Sequence, residues 1–125
     1  MRILVVEDDK MKRQFIEDFL EERNIDMYSF RSIIPSINYT LRHASEIDGI
    51  ILDLGLTSYD YTDDYDFKKG LQLVEELTKK GIRIPILIYS DTYINLSKVM
   101  KEHRNVKYQM DEYDPHILRQ FINWL

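Results

Sequence analysis

Three short stretches constrain this chain most: Ile3–Val6 (ILVV) and Pro85–Tyr89 (PILIY), which are apolar throughout, and Ile47–Leu52 (IDGIIL), which ends in an apolar run. Each is rich in β-branched residues and too short for a typical helix. Such runs suit strands buried on both faces of a parallel sheet. Between them apolar residues recur at helical spacing. Met11, Phe15, Ile16, Phe19 and Leu20 form one set, with Asp8 or Asp9 placed to cap it. Ile33, Ile34, Ile37, Tyr39 and Leu41 form a second, with Pro35 in its first turn. Leu71, Leu73, Val74 and Leu77 form a third, closed by Lys79, Lys80 and Gly81.

Two further strands are expected at Met27–Phe30, the weaker, and Val106–Met110. Residues 92–103 read as a helix capped by Asp91 or Thr92. Asp114-Pro115 opens a last helix through Ile117, Leu118, Phe121 and Ile122. The pattern is (βα)5, an α/β chain with a doubly wound five-stranded parallel sheet and right-handed crossovers. No repeat, low-complexity tract or linker interrupts it.

The chain has 125 residues, 44% hydrophobic and 31% charged, which suits a single globular domain over 1–125 with no output domain. Its net charge of −5 gives no basic field for direct binding to nucleic acid or an acidic membrane. Cysteine is absent, so disulfides and thiolate metal sites are excluded. The apolar run at the N-terminus is too short for a signal sequence or a membrane span. The expected location is the cytoplasm.

Ligands of doubly wound sheets bind outside the carboxyl ends of the strands. The residues expected there are Glu7, Asp8 and Asp9 after the first strand and Asp53 after the third. Ser90 and Asp91 follow the fourth, and Asp111 the fifth. One aspartate at a strand tip is most often a helix cap or a solvated loop residue. Acids after two strands, with a hydroxyl after a third, make a different case. Packed carboxylates repel unless a hard divalent cation compensates them, and few carboxylates, a carbonyl and waters suit Mg²⁺.

The stretches ILVVEDD, IILDLGL, PILIYS and YQMDEYDPHIL together resemble the response-regulator receiver domain of two-component signalling, over essentially the whole chain. The resemblance implies a flavodoxin-like, CheY-like fold with strand order 2-1-3-4-5. It implies Glu7 and Asp8 as the acidic pair and Asp53 as phosphoacceptor. Gly55 would be the residue whose carbonyl binds Mg²⁺, which makes the metal set Glu7, Asp8, Asp53 and Gly55. Ser90 corresponds to the switch hydroxyl and Tyr108 to the aromatic switch. A carboxylate can serve as a phosphoryl nucleophile where cations screen the incoming charge.

Two departures stand out. The family carries a lysine three residues after the aromatic, and here that position is Asp111. Lys107 lies about 13 Å away, at the wrong end of an extended strand rising about 3.3 Å per residue. Asp111 reverses the local charge and could instead help hold a metal. The second departure follows Asp53. The family's glycine after the phosphoacceptor is best matched by Gly70, far downstream, so residues 58–69 form an acidic, aromatic insertion. It reads as a solvated loop, a partner surface, or a lid that brings Lys68 or Lys69 back to the site.

His43, His103 and His116 fall on three expected helices without ligand spacing, and Trp124 is expected against the apolar face of the last helix. The resemblance implies a stand-alone, non-enzymatic signalling receiver in a phosphorelay. A histidine kinase or phosphotransfer protein would phosphorylate it, and it would act on a downstream protein. The face of helix 4, strand 5 and helix 5 could also join two copies. The alternative is an atypical receiver used as a phosphate-independent interaction module. A phosphatase of the haloacid dehalogenase type would need a second aspartate where Gly55 stands.

Overall fold

The computed structural model describes residues 1–54, 67–89 and 96–125, with only the backbone of 67–69 and 96. Gly55, Ser90, Asp91, Thr92 and nearly all of the 58–69 insertion therefore lie outside the described residues. In chain order the elements are β1 (Arg2–Val6), α1 (Lys10–Glu21), β2 (Asp26–Phe30), α2 (Ile33–His43) and β3 (Gly49–Leu52). They continue as α3 (Phe67–Lys79), β4 (Ile86–Tyr89), α4 (Leu96–Glu102), β5 (Val106–Met110) and α5 (Pro115–Trp124). All strand pairs are parallel and their order is β2-β1-β3-β4-β5, as expected.

Side-chain alternation sorts the core into two layers. Leu4, Val6, Ile50, Leu52, Ile86 and Ile88 face α2 and α3. Ile3, Val5, Ile51, Leu87, Tyr89 and Met110 face α1 and α5. The central strands β3 and β4 are buried along their whole length, which explains their continuous apolar runs.

The helix ends follow local chemistry. Asp9 Oδ1 accepts from the amides of Met11 (2.9 Å) and Lys12 (3.1 Å). Asp114 Oδ1 does the same for His116 and Ile117, with Pro115 as the first helical residue. Gly81, at φ 69°, closes α3. Its amide bonds the Thr78 carbonyl while the Ile82 amide bonds that of Leu77, the Schellman pattern that a left-handed residue permits.

Several expectations need correction. β3 starts at Gly49 rather than Ile47, because a 3₁₀ turn over Ala44–Glu46 delivers Ile47 to the core from outside the sheet. α3 starts at Phe67, earlier than the apolar spacing indicated. His103 lies just beyond α4, and its Nδ1 pairs with Thr78 Oγ1 at 2.8 Å. Trp124 is 51% exposed, since α5 turns Leu118, Phe121 and Ile122 inward and position 124 falls off that stripe. Lys107 Nζ covers its ring instead, 5.2 Å from the centroid. Met11 and Phe15 likewise leave the buried stripe of α1, which is Ile16, Phe19 and Leu20.

Candidate functional site

Val6 pairs with Leu52 across β1 and β3, so the next residues, Glu7 and Asp53, stand abreast where the strands end. The Asp53 amide donates to the Val6 carbonyl at 2.9 Å, and the Glu7 amide donates to that of Phe30 at 2.9 Å. Two strands thus hold the backbone beneath the acids. Side-chain alternation directs Glu7 and Asp53 to the face covered by α1 and α5. They are 1% and 3% exposed. Asp8 is half-buried beside them, and one oxygen from each of the three carboxylates lies within 4.8 Å of the others.

Burying carboxylates together is expensive. Glu7 Oε1 accepts the Asp9 amide at 3.0 Å, but the buried Oε2 receives no donor. The group facing Glu7 is another carboxylate, and a proton shared between the two or a bound cation would satisfy that oxygen. Burial, and then the charge of Asp53 and a hydrogen bond with it, push the Glu7 carboxyl up to about 9. The Asp9 amide and the charge of Lys12 act in the opposite direction.

The donor set fits a hard cation. Three carboxylates supply oxygen ligands, and the orphaned Glu7 oxygen is what a bound ion would satisfy. Glu7, Asp8 and Asp53 would hold Mg²⁺, and its charge would let all three ionise.

Gly70 packs α3 against the same place. A Cβ there would lie 2.8 Å from Leu54 Cα and 3.2 Å from the Asp53 carbonyl oxygen. Leu54 is itself buried, so the helix backbone rests on the strand end that carries Asp53.

No protein-family model and no curated protein sequence matches the chain. Solved structures do. The signal receiver domain of a LuxO repressor protein from Vibrio parahaemolyticus aligns over 98% of this chain and 87% of its own, with TM-score 0.77 and 16% identity. The receiver domain of Francisella response regulator 1452 aligns over 98% and 93%, with TM-score 0.75 and 22% identity. Vibrio cholerae chemotaxis protein CheY4 aligns over 98% and 96%, with TM-score 0.73 and 14% identity. The chain has the fold of a response-regulator receiver domain.

In this receiver fold Glu7, Asp8 and Asp53 come together at the expected strand ends. Asp111 does not join them. It is exposed just past β5, where Gln109 Nε2 donates to its Oδ1 at 3.2 Å. Tyr108 lies half-buried in β5, edge-on to Phe121 with ring centroids 6.2 Å apart. Among the described residues, no helix is long and apolar enough to cross a membrane.

One residue of this neighbourhood escaped the sequence reading. Lys12, in the first turn of α1, is half-buried with its Nζ 5.3 Å from the centroid of Tyr89. The signal lay in EDDKMKR, where basic residues follow the acids directly. Its contact with β4 spans 77 positions and has no local mark.

Proposed function

We propose that the chain is a signalling receiver that takes a phosphoryl group on Asp53, with Mg²⁺ held by Glu7, Asp8 and Asp53 and by the carbonyl of Gly55. The observation that carries this reading is the buried Glu7–Asp53 pair, with Glu7 Oε2 lacking a donor. Such a pair is costly for stability alone and is suited to a cation and an anionic reaction partner.

In the transfer, an ionised Asp53 oxygen attacks phosphorus. The new O–P bond forms as the P–N bond of a phosphohistidine, or the P–O bond of an acyl phosphate, breaks. The leaving group keeps that electron pair. Bound Mg²⁺ would supply charge neutralisation for the carboxylates and the phosphoryl oxygens. Burial of Asp53 keeps water from the nucleophile, and the strand-end hydrogen bonds hold its backbone in place. The reading gives Ser90 the switch-hydroxyl role and Tyr108 the aromatic-switch role. A kinase or phosphotransfer protein lies upstream and a protein partner downstream.

The test is phosphorylation by acetyl phosphate with Mg²⁺, read by intact mass. One phosphoryl group should be gained and should be absent from Asp53→Ala. Failure with both acetyl phosphate and a panel of histidine kinases counts against the proposal.

A second reading is a phosphate-independent interaction module. It is favoured by Asp111, an exposed acid where the family carries a lysine. Beryllofluoride separates the two, because a phosphate-independent module shows no response to it at Ser90 and Tyr108.

A further inference from the structure

A phosphoryl group on Asp53 brings more negative charge than Mg²⁺ and one hydroxyl balance, and position 111 supplies none of the missing cation. The described cations can be compared by place. Lys107 lies over Trp124, at the terminal end of α5. The Arg13 guanidinium donates to the Glu7 backbone carbonyl at 3.4 Å. Lys12 is placed differently. Asp9 caps the Lys12 amide at 3.1 Å, which fixes the start of α1 beside the acids. From there Nζ stands over the ring of Tyr89, 5.3 Å from its centroid.

Tyr89 is the last residue of β4 and is 2% exposed. Leu52 pairs with Ile88, so Tyr89 and Asp53 are the next residues on neighbouring strands. Alternation directs both toward α1. The ring face offers the ammonium a cation–π seat at the edge of the carboxylate cluster.

We infer that Lys12, reaching from the first turn of α1 across Tyr89, is the cation that meets a phosphoryl group on Asp53, in place of the lysine that position 111 lacks. This rests on the phosphoacceptor reading of Asp53. The group is moved from strand to helix, but its charge comes to the same cluster of acids. Lys12 therefore has two opposed effects. It repels Mg²⁺ from the carboxylates before phosphorylation and attracts the phosphoryl oxygens afterwards.

The experiment titrates Mg²⁺ alone, then beryllofluoride at saturating Mg²⁺, following amide shifts of Glu7, Asp8 and Asp53. The proteins are wild type, Lys12→Gln, Lys12→Arg and Lys12→Gln/Asp111→Lys. Lys12→Gln should bind Mg²⁺ severalfold more tightly and beryllofluoride about tenfold more weakly, the scale expected on removing a unit charge beside a partly buried site. Lys12→Arg should stay near wild type, and Asp111→Lys should restore much of the lost beryllofluoride affinity.

Changes of opposite sign in the two titrations are not produced by a general structural defect. Equal beryllofluoride binding by Lys12→Gln and wild type overturns the assignment of Lys12. Weakening of both ligands together does the same, since it marks a structural role. Failure of wild type itself to bind beryllofluoride instead overturns the phosphoacceptor reading, and the role of Lys12 with it.

Discussion

Glu7 and Asp53 lie side by side at the ends of β1 and β3, both buried, with the Asp53 amide hydrogen-bonded to the carbonyl just before Glu7. Two carboxylates so placed cannot both ionise at low cost. On the proposed function, charge balance at this pair would govern how the domain responds to metal, to a phosphoryl group and to pH.

Stability without metal should depend on pH through Glu7. Its folded-state carboxyl is raised to about 9 from an ordinary 4.5, so the folded protein holds a proton that the unfolded chain releases. Stability from this group is complete below the unfolded value and falls as pH rises through the folded one. Mg²⁺ held by these acids would displace that proton, so its binding should grow stronger over the same range. Melting temperatures with EDTA and with saturating Mg²⁺ should therefore diverge as pH rises from about 5 to about 9. A gap independent of pH contradicts this.

Glu7→Gln removes the titration and keeps the shape. The variant should lose this pH dependence and most of its response to Mg²⁺. Its fold should persist near neutral pH, because the amide resembles the protonated acid. Thermal denaturation with and without Mg²⁺ reads both effects.

Gly70→Ala places a methyl 2.8 Å from the Leu54 backbone. Backbone cannot swing aside as a side chain can, so α3 must lift or the strand end must move. A loss of about 1–3 kcal/mol is expected in urea denaturation, as for other overpacked sites. Amide shifts should reach Asp53. A neutral substitution would show that α3 is free to give way there.

Asp9→Ala removes one acceptor from two amides at the start of α1. About 1 kcal/mol of stability should be lost, as for other caps. Because the cap also holds the backbone of Lys12, beryllofluoride affinity should fall and Mg²⁺ affinity should rise, the same pair of signs as in Lys12→Gln but smaller. Chemical denaturation and the two titrations check these outcomes separately.

Much of this was legible in the chain because the site is built on strands. Continuous apolar runs marked β1, β3 and β4, and a parallel sheet brings the residues after them to one edge, so Glu7, Asp8 and Asp53 could be grouped. Apolar content alone could not choose helix faces. Met11, Phe15 and Trp124 are large and hydrophobic yet exposed, because the buried stripe of each helix was already filled. Lys12 was hidden for another reason. Its meaning comes from Tyr89, a contact made across the fold. Asp111 stands just past β5, as its place after the last strand implies, but its side chain pairs with Gln109 and lies outside the carboxylate cluster rather than helping to hold a metal there.

The most direct test of the central claim is the amide spectrum of the wild-type protein titrated with beryllofluoride at saturating Mg²⁺, with Asp53→Ala as control. Saturable shifts are expected at Glu7, Asp8 and Asp53, extending to Ser90 and Tyr108 and vanishing in the control. A wild-type spectrum that responds to Mg²⁺ but not to beryllofluoride would contradict that claim.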